Sequence, residues 1–276
     1  MTGLVSAEEL RAELGDRSLR VLDGTVHLDF PAGGGPPAVT SGRADFDAGH
    51  VPGAAFADLI TDLSDPDSGL PFTVPSPERF AAAIGALGVG DGTRVVVYDQ
   101  AHTTWATRLW WLLRYFGFDD VRVLDGGLRA WTAAGGELST EPSAYPAATF
   151  TPRPRPELLA TTDDVLEASA DGTTCVVNAL DDAFYRAGRI PGSAQLAASS
   201  LLDPATGRLR PVAELRRVVG EVVPGDGPAP IAYCGGGIAA TLDVFALALA
   251  GREDARLYDG SMTGWTADPS RPVETG

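Results

Sequence analysis

The chain has 276 residues, 44% hydrophobic and 21% charged, with 37 acidic residues against 21 basic ones and a formal net charge of −16. This is globular composition, long enough for two domains and for a core that needs neither disulfide nor metal to hold it. The negative balance argues against nucleic acid or an anionic membrane as partner, and with no lysine there is neither Schiff-base chemistry nor a P-loop.

Two cysteines, Cys175 and Cys234, cannot build a disulfide framework, and three histidines leave little material for a zinc site. The first fifteen residues carry neither a basic nor an apolar region of the kind that opens a secretory signal. No apolar run approaches the ~20 residues that span a bilayer. The expectation is a cytoplasmic protein in a reducing compartment.

In chain order, Ser6-Ala7-Glu8-Glu9 is a capping box ahead of Leu10 and Leu14. A short strand, Leu19 to Leu22, ends at Asp23, and Gly49-His50-Val51-Pro52-Gly53-Ala54 forms a turn. Ser76-Pro77 starts a helix that ends near Gly88. Arg94 to Tyr98 is a β-branched strand ending at Asp99, followed by an apolar helix from about Trp105 to Phe116. Val121 to Leu124 is a strand leading into Asp125-Gly126-Gly127 and Trp131. The proline-rich stretch 141–157 reads as an extended linker.

The second half repeats the plan. Thr161 to Ala170 is a capped helix, and Cys175 to Val177 is a strand ending at Asn178. Gly188-Arg189-Ile190-Pro191-Gly192-Ser193 forms a turn, and Val212 to Val219 is a helix. Ile231 to Tyr233 is a strand ending at Cys234, an apolar helix runs from about Ala240 to Leu249, and Leu257-Tyr258 leads into Asp259-Gly260-Ser261 and Trp265. Asp to Trp is six positions in both halves. Shared order and spacing argue duplication into two α/β domains with mainly parallel sheets. The expected division is 1–141, linker 142–157, and 158–276. The first half is longer: Asp23 to Gly53 spans 30 positions and Asn178 to Gly192 spans 14, with some of the excess in the run Pro31 to Pro37.

The strongest local signal is Tyr233-Cys234-Gly235-Gly236-Gly237-Ile238-Ala239. In open α/β sheets ligands sit at the carboxyl ends of strands. A cysteine there, followed by glycines and a helix, meets inward-turned amides and a helix N-terminus, which favour its thiolate and make it nucleophilic. Taken alone, the string also fits a buried structural cysteine. Cys175, in an apolar strand, reads as inert packing. Trp131 and Trp265 read as core anchors.

Five strings in this order, GHVPGA (49–54), LDGG with its Trp (124–131), RIPGSA (189–194), YCGGGIA (233–239) and YDGS with its Trp (258–265), resemble the tandem-domain rhodanese family of thiosulfate and 3-mercaptopyruvate sulfurtransferases. The resemblance covers nearly the whole chain. It implies two rhodanese-like domains, the first inactive with Asp99 in the cysteine's place and the second catalytic. Cys234 would take a sulfane sulfur from a small anionic donor as a persulfide, held by the amides of Gly235, Gly236, Gly237, Ile238 and Ala239. It would then pass the sulfur to cyanide or a thiol, with no metal or organic cofactor.

The uncharged Gly235-Gly236-Gly237 leans toward 3-mercaptopyruvate over thiosulfate. The hydroxyls common in the family at positions 236 and 239 are missing, and the family's arginine before the aromatic residue of the 181–188 segment is missing too. Arg186 and Arg189 are left to pair with the donor's carboxylate or sulfonate. His50 matches a family histidine and would either hold the donor or stabilise its turn. A phosphatase of similar fold needs an arginine at position 240, which is Ala240. The alternative reading is a persulfide carrier served by a protein partner. The expected state is a monomer.

Overall fold

The computed structural model describes residues 3–31, 35 and 37–276. They form two compact units: the described residues up to Pro66 and Val74–Pro154 with Thr206–Arg208, and Asp67–Thr73 and Arg155–Ala205 with Leu209–Gly276.

The first unit runs β1 (Leu4–Val5), α1 (Ala7–Glu13), β2 (Leu19–Asp23), β3 (Val26–Asp29), β4 (Ala38–Ser41), α2 (Arg43–Ala48), β5 (Ala55–Phe56), α3 (Pro77–Ala86), β6 (Arg94–Tyr98), α4 (Thr104–Tyr115), β7 (Val121–Leu124) and α5 (Gly127–Ala133). The second runs α6 (Thr162–Asp171), β8 (Val176–Asn178), α7 (Asp182–Ala187), β9 (Ala194–Gln195), α8 (Val212–Val222), β10 (Ile231–Tyr233), α9 (Ala239–Ala250), β11 (Arg256–Leu257) and α10 (Ser261–Thr266). The sheet orders are β1-β7-β6-β2-β5 and β11-β10-β8-β9, parallel throughout. β6 and β10 each have a strand on both sides, so Asp99 and Cys234 leave the carboxyl end of an interior strand.

Both expected helix starts carry their caps. Ser6 Oγ accepts from the Glu9 amide at 3.2 Å while Glu9 accepts from the Ser6 amide at 2.8 Å. Thr161 and Asp164 make the same reciprocal pair. The excess length of the first half builds the antiparallel ribbon β3–β4. Of the expected insertion Pro31 to Pro37, residues 32–34 and 36 lie outside the described residues. Cys175 sits just before β8, half-buried, with Sγ 3.6 Å from the Val222 carbonyl, and burial pushes its thiol up.

The expected linker is extended, but residues 142–154 pack onto the first unit. The Ala148 amide donates to Gly85 O and the Arg153 amide to Phe116 O, at 2.9 and 2.8 Å. Tyr145 Oη accepts from the Val21 amide at 3.0 Å, and Phe150 is buried edge-on to Phe80. Gly88 makes room for this strap: at φ +75°, a Cβ there would lie 2.4 Å from that of Tyr145. Proline content marks a segment as extended and says nothing about the aromatic side chains between the prolines.

The two halves share an internal brace. Tyr98 Oη accepts from the Val51 amide at 3.2 Å, and Tyr233 Oη accepts from the Ile190 amide at 3.0 Å. The indoles of Trp131 and Trp265, both buried, donate to the Glu137 and Pro272 carbonyls at 2.8 Å each. The tryptophans expected to anchor the core do so, and each also ties down the segment that follows its helix.

A carboxyl group interrupts the apolar run of α9. Asp243, in α9, is fully buried, and neither carboxylate oxygen has a hydrogen-bond partner. Burial alone pushes its carboxyl well above the usual range. The folded chain therefore keeps a proton that the unfolded chain has released, so stability is lost as pH rises through the folded value. Asp243→Asn should remove that slope: thermal melts should show its melting temperature gaining on wild type between pH 5 and pH 8.

Candidate active site

The site begins with Tyr233, whose ring is locked from several directions. Its Oη accepts from the Ile190 amide and from Asn178 Nδ2 (2.8 Å) and lies 2.8 Å from Ser193 Oγ. This fixes the end of β10 and the direction in which the chain leaves it. Cys234 follows, only 2% exposed.

The loop from Cys234 to Ile238 is held from the side by the first turn of α10. The Met262 amide donates to Cys234 O at 2.9 Å, and the Thr263 amide and Oγ1 both donate to Gly235 O, at 2.9 and 2.8 Å. Ser261 Oγ accepts from the Cys234 amide at 3.0 Å and lies 3.9 Å from Cys234 Sγ. With these carbonyls engaged by α10, the Gly235 and Gly236 amides have no acceptor among the described residues. Amides left in this state beside a helix N-terminus favour an anion.

The three glycines serve different ends. Gly237 has φ +79°, and a Cβ there would lie 2.5 Å from the Asp259 carbonyl, so only glycine fits. Gly235 and Gly236 have no such need: a Cβ on the first meets nothing within 4 Å, and on the second only Thr263 Oγ1 at 4.0 Å. Of the three, Gly237 alone needs glycine, and open space lies at the other two.

The first unit carries a loop of equal length between β6 and α4, and it holds an anion already. Asp99 Oδ1 accepts from the Ala101 and Thr103 amides at 2.9 and 3.0 Å. Its Oδ2 accepts from the Trp105 and Ala106 amides at 3.1 and 2.9 Å. Four amides converge on one buried carboxylate. This loop design binds negative charge, and in the first unit its own side chain supplies that charge.

The three charged candidates read from the sequence are placed differently. Arg186 is 65% exposed and pairs only with Asp182, one turn away at 2.9 Å. Arg189 is nearly buried: it bonds Glu274 Oε1 at 2.5 Å and the Gly276 carbonyl at 2.7 Å, and lies over the Tyr185 ring. His50 is 1% exposed, stacked on Phe46, with its ring nitrogens 2.7 and 3.2 Å from the Phe46 and Glu141 carbonyls. His50 and Arg189 hold corresponding positions in the two halves. Each pairs its backbone with the segment beyond the tryptophan, His50 with Ser139 and Arg189 with Glu274. A position that does the same job twice is part of the repeat's scaffold.

Reading the sequence missed Ser261 and Thr263. The signal was present, since the repeat has Gly127 in the first half and Ser261 in the second. Among the described residues no cluster of three or more His, Cys, Asp or Glu side chains is placed to hold a metal ion.

Fold and site together define a two-repeat α/β protein with a buried cysteine in an amide-lined loop on one repeat and a carboxylate in the matching loop of the other. The rhodanese-like domain model matches residues 6–134 and 161–268. The chain is 35% identical to a 3-mercaptopyruvate sulfurtransferase of Escherichia coli, over 82% of this chain and 83% of that one. It is 32% identical to a thiosulfate sulfurtransferase of Gallus gallus, over 95% and 92%. The crystal structure of SseA from Escherichia coli, described as a 3-mercaptopyruvate sulfotransferase, superposes with a TM-score of 0.85 at 30% identity, covering 95% of this chain and 99% of that one. The chain belongs to the rhodanese family and is a tandem sulfurtransferase of that family.

The four-amide cradle makes Asp99 a stability determinant. Asp99→Asn turns an NH2 group toward amides that need an acceptor, and should cost about 2–3 kcal/mol in denaturant unfolding. The Cys234 alkylation rate of the folded protein should stay unchanged.

Proposed function

We propose that Cys234, in the second repeat, carries the sulfur and that the first repeat, with Asp99 in its cradle, is catalytically inactive. The observation that carries this reading is the loop at the end of β10. The Cys234 and Gly235 carbonyls are taken up by α10 and the Gly235 and Gly236 amides are left for an anion, in a loop as long as the one whose amides surround a carboxylate in the first repeat.

The chemistry follows in two steps. Cys234 thiolate attacks the sulfur of 3-mercaptopyruvate. The new S–S bond forms as the C–S bond breaks, and its electron pair leaves on carbon as an enolate that takes up a proton to give pyruvate. With thiosulfate, sulfite leaves with the electron pair instead. The persulfide anion then rests against the amides of residues 235 to 239, which stabilise it as an oxyanion hole stabilises its oxygen. A thiol or cyanide attacks the outer sulfur, the S–S bond breaks, and Cys234 thiolate returns. The residues of this chain supply the nucleophile and the amide field.

The uncharged Gly235–Gly236 face, open beside the sulfur, favours 3-mercaptopyruvate over the more highly charged thiosulfate. Of the charged candidates, Arg186 has the exposed guanidinium with a weak partner, so the donor's carboxylate is assigned to it. Arg189 and His50 keep scaffold roles. The same reading makes the protein a cytoplasmic monomer with no nucleic-acid or membrane partner. The charge of −16 supports the exclusion of nucleic acid and anionic membranes, and among the described residues no helix is long and apolar enough to cross a membrane.

Thiocyanate formation from cyanide tests the proposal. Wild type should turn over 3-mercaptopyruvate faster than thiosulfate, and Cys234→Ser should abolish both. Mass spectrometry of donor-treated wild type should find one added sulfur atom on Cys234. No turnover with an adduct would turn the reading toward a carrier; neither turnover nor adduct would remove Cys234 from the chemistry. Arg186→Ala should raise the KM for the anionic donor severalfold with kcat little changed, whereas Arg189→Ala should lower the melting temperature.

A further inference from the structure

We infer that Ser261 is the positioning residue for the Cys234 sulfur and supplies the hydroxyl hydrogen bond that the loop itself lacks; the inference rests on Cys234 being the nucleophile. From Gly235 to Ala240 no side chain carries a hydroxyl, and Thr241 turns its own back to the Ile238 carbonyl at 2.7 Å. Ser261 is fully buried, with Oγ within reach of three groups of known polarity. It accepts from the Cys234 amide at 3.0 Å, lies 2.9 Å from the Tyr258 carbonyl, and lies 3.9 Å from Cys234 Sγ. The accepted bond fixes the backbone of the cysteine. The single hydroxyl hydrogen then has two acceptors to choose between.

While the sulfur is a thiol, the carbonyl is the better acceptor. Once the sulfur is an anion, a hydrogen bond to it is charge-assisted, and the hydrogen turns to the sulfur. The carbonyl is not stranded by this, because the Ser261 amide donates to Tyr258 O at 3.1 Å in either case. The turn thus gains a bond to charge without leaving a buried acceptor unmet.

The backbone gives an independent reason. Ser261 sits at φ +49°, a left-handed conformation that side chains disfavour. At the matching place in the first repeat stands Gly127, at φ +55°, where a Cβ would lie 2.3 Å from the Asp99 carbonyl. The corresponding amides, Leu128 and Met262, donate to the corresponding carbonyls, Asp99 and Cys234, so the two positions hold their loops by the same bond, although the residue before them differs, Gly126 at φ +79° and Gly260 at φ −60°. The repeat whose cradle is filled by its own carboxylate uses glycine there. The repeat whose cradle serves a sulfur keeps a strained serine.

The experiment compares Ser261→Ala, which keeps the Cβ, and Ser261→Gly, which also relieves the strain. Iodoacetamide alkylation of Cys234 is followed from pH 5 to pH 10, with Cys234→Ser as the blank. Both variants should react at least about tenfold more slowly near neutral pH, the scale of one hydrogen bond to a charged group. Their profiles should be displaced to higher pH, and kcat should fall more than KM rises. Ser261→Gly should be no less heat-stable than Ser261→Ala while sharing its loss of reactivity. Alkylation within about twofold of wild type in either variant would overturn the inference, because a backbone or packing role would let glycine restore what alanine loses. If Ser261→Ala does not fold, Ser261→Gly decides alone. Alkylation needs no sulfur donor, so wild type that turns over neither donor, with both variants still slow to alkylate, would sink the proposed function and leave the role of Ser261 standing.

Discussion

The loop that leaves the carboxyl end of an interior parallel strand, β6 in one unit and β10 in the other, is the feature on which the rest of this protein depends. Its backbone amides need acceptors, and the acceptor that clustered amides favour is an anion. Each repeat meets the demand in its own way. In the first, the Asp99 carboxylate takes four amides and closes the loop on itself. In the second, Cys234 occupies the strand end, and the Gly235 and Gly236 amides have no acceptor among the described residues. The sheet, the tyrosine brace at each strand end and the short helix beyond each Asp-Gly turn all hold this one feature in place.

The duplication gives the molecule an internal control. Tyr98 and Tyr233 bond the same turn amide, Trp131 and Trp265 the same kind of carbonyl, and His50 and Arg189 bridge the same segment. What both halves do is architecture, whatever the chemistry of the side chain. What differs between them is the informative part: Asp99 against Cys234, and Gly127 against Ser261. The same comparison gives His50 and Arg189 matching backbone pairings, with Ser139 and with Glu274.

Much of the fold was legible because it lies in short-range pattern. The capping box at Ser6, the capped helix from Thr161, the β-branched run Arg94–Tyr98 and the repeated Asp-Gly to Trp spacing need no partner to be recognised. The two-residue strands β1, β5, β9 and β11 were not legible, because nothing in so few residues shows periodicity. They exist through pairings such as Leu4 with Val123 and Ala232 with Leu257. The strap 142–154 reads as linker by composition, yet Tyr145 packs under Arg20 and accepts from the Val21 amide, and Phe150 packs on Phe80, all residues far away along the chain.

For the site, the sequence alone determined which residues stand at the strand ends, Cys234 with its glycine loop in one repeat and Asp99 in the other. Those depend on residue identity at one strand end and on order along the chain. The tertiary structure decided which groups surround the sulfur. Pairing of β10 with β11 in parallel register brings the residues beyond both strands together, so Ser261 and Thr263 reach Cys234 and Gly235 from about 27 positions away along the chain. It also decided that Arg189 is held by Glu274, at a separation no local pattern encodes. A hydrogen bond depends on distance and direction in space, and those are set only when the strands align.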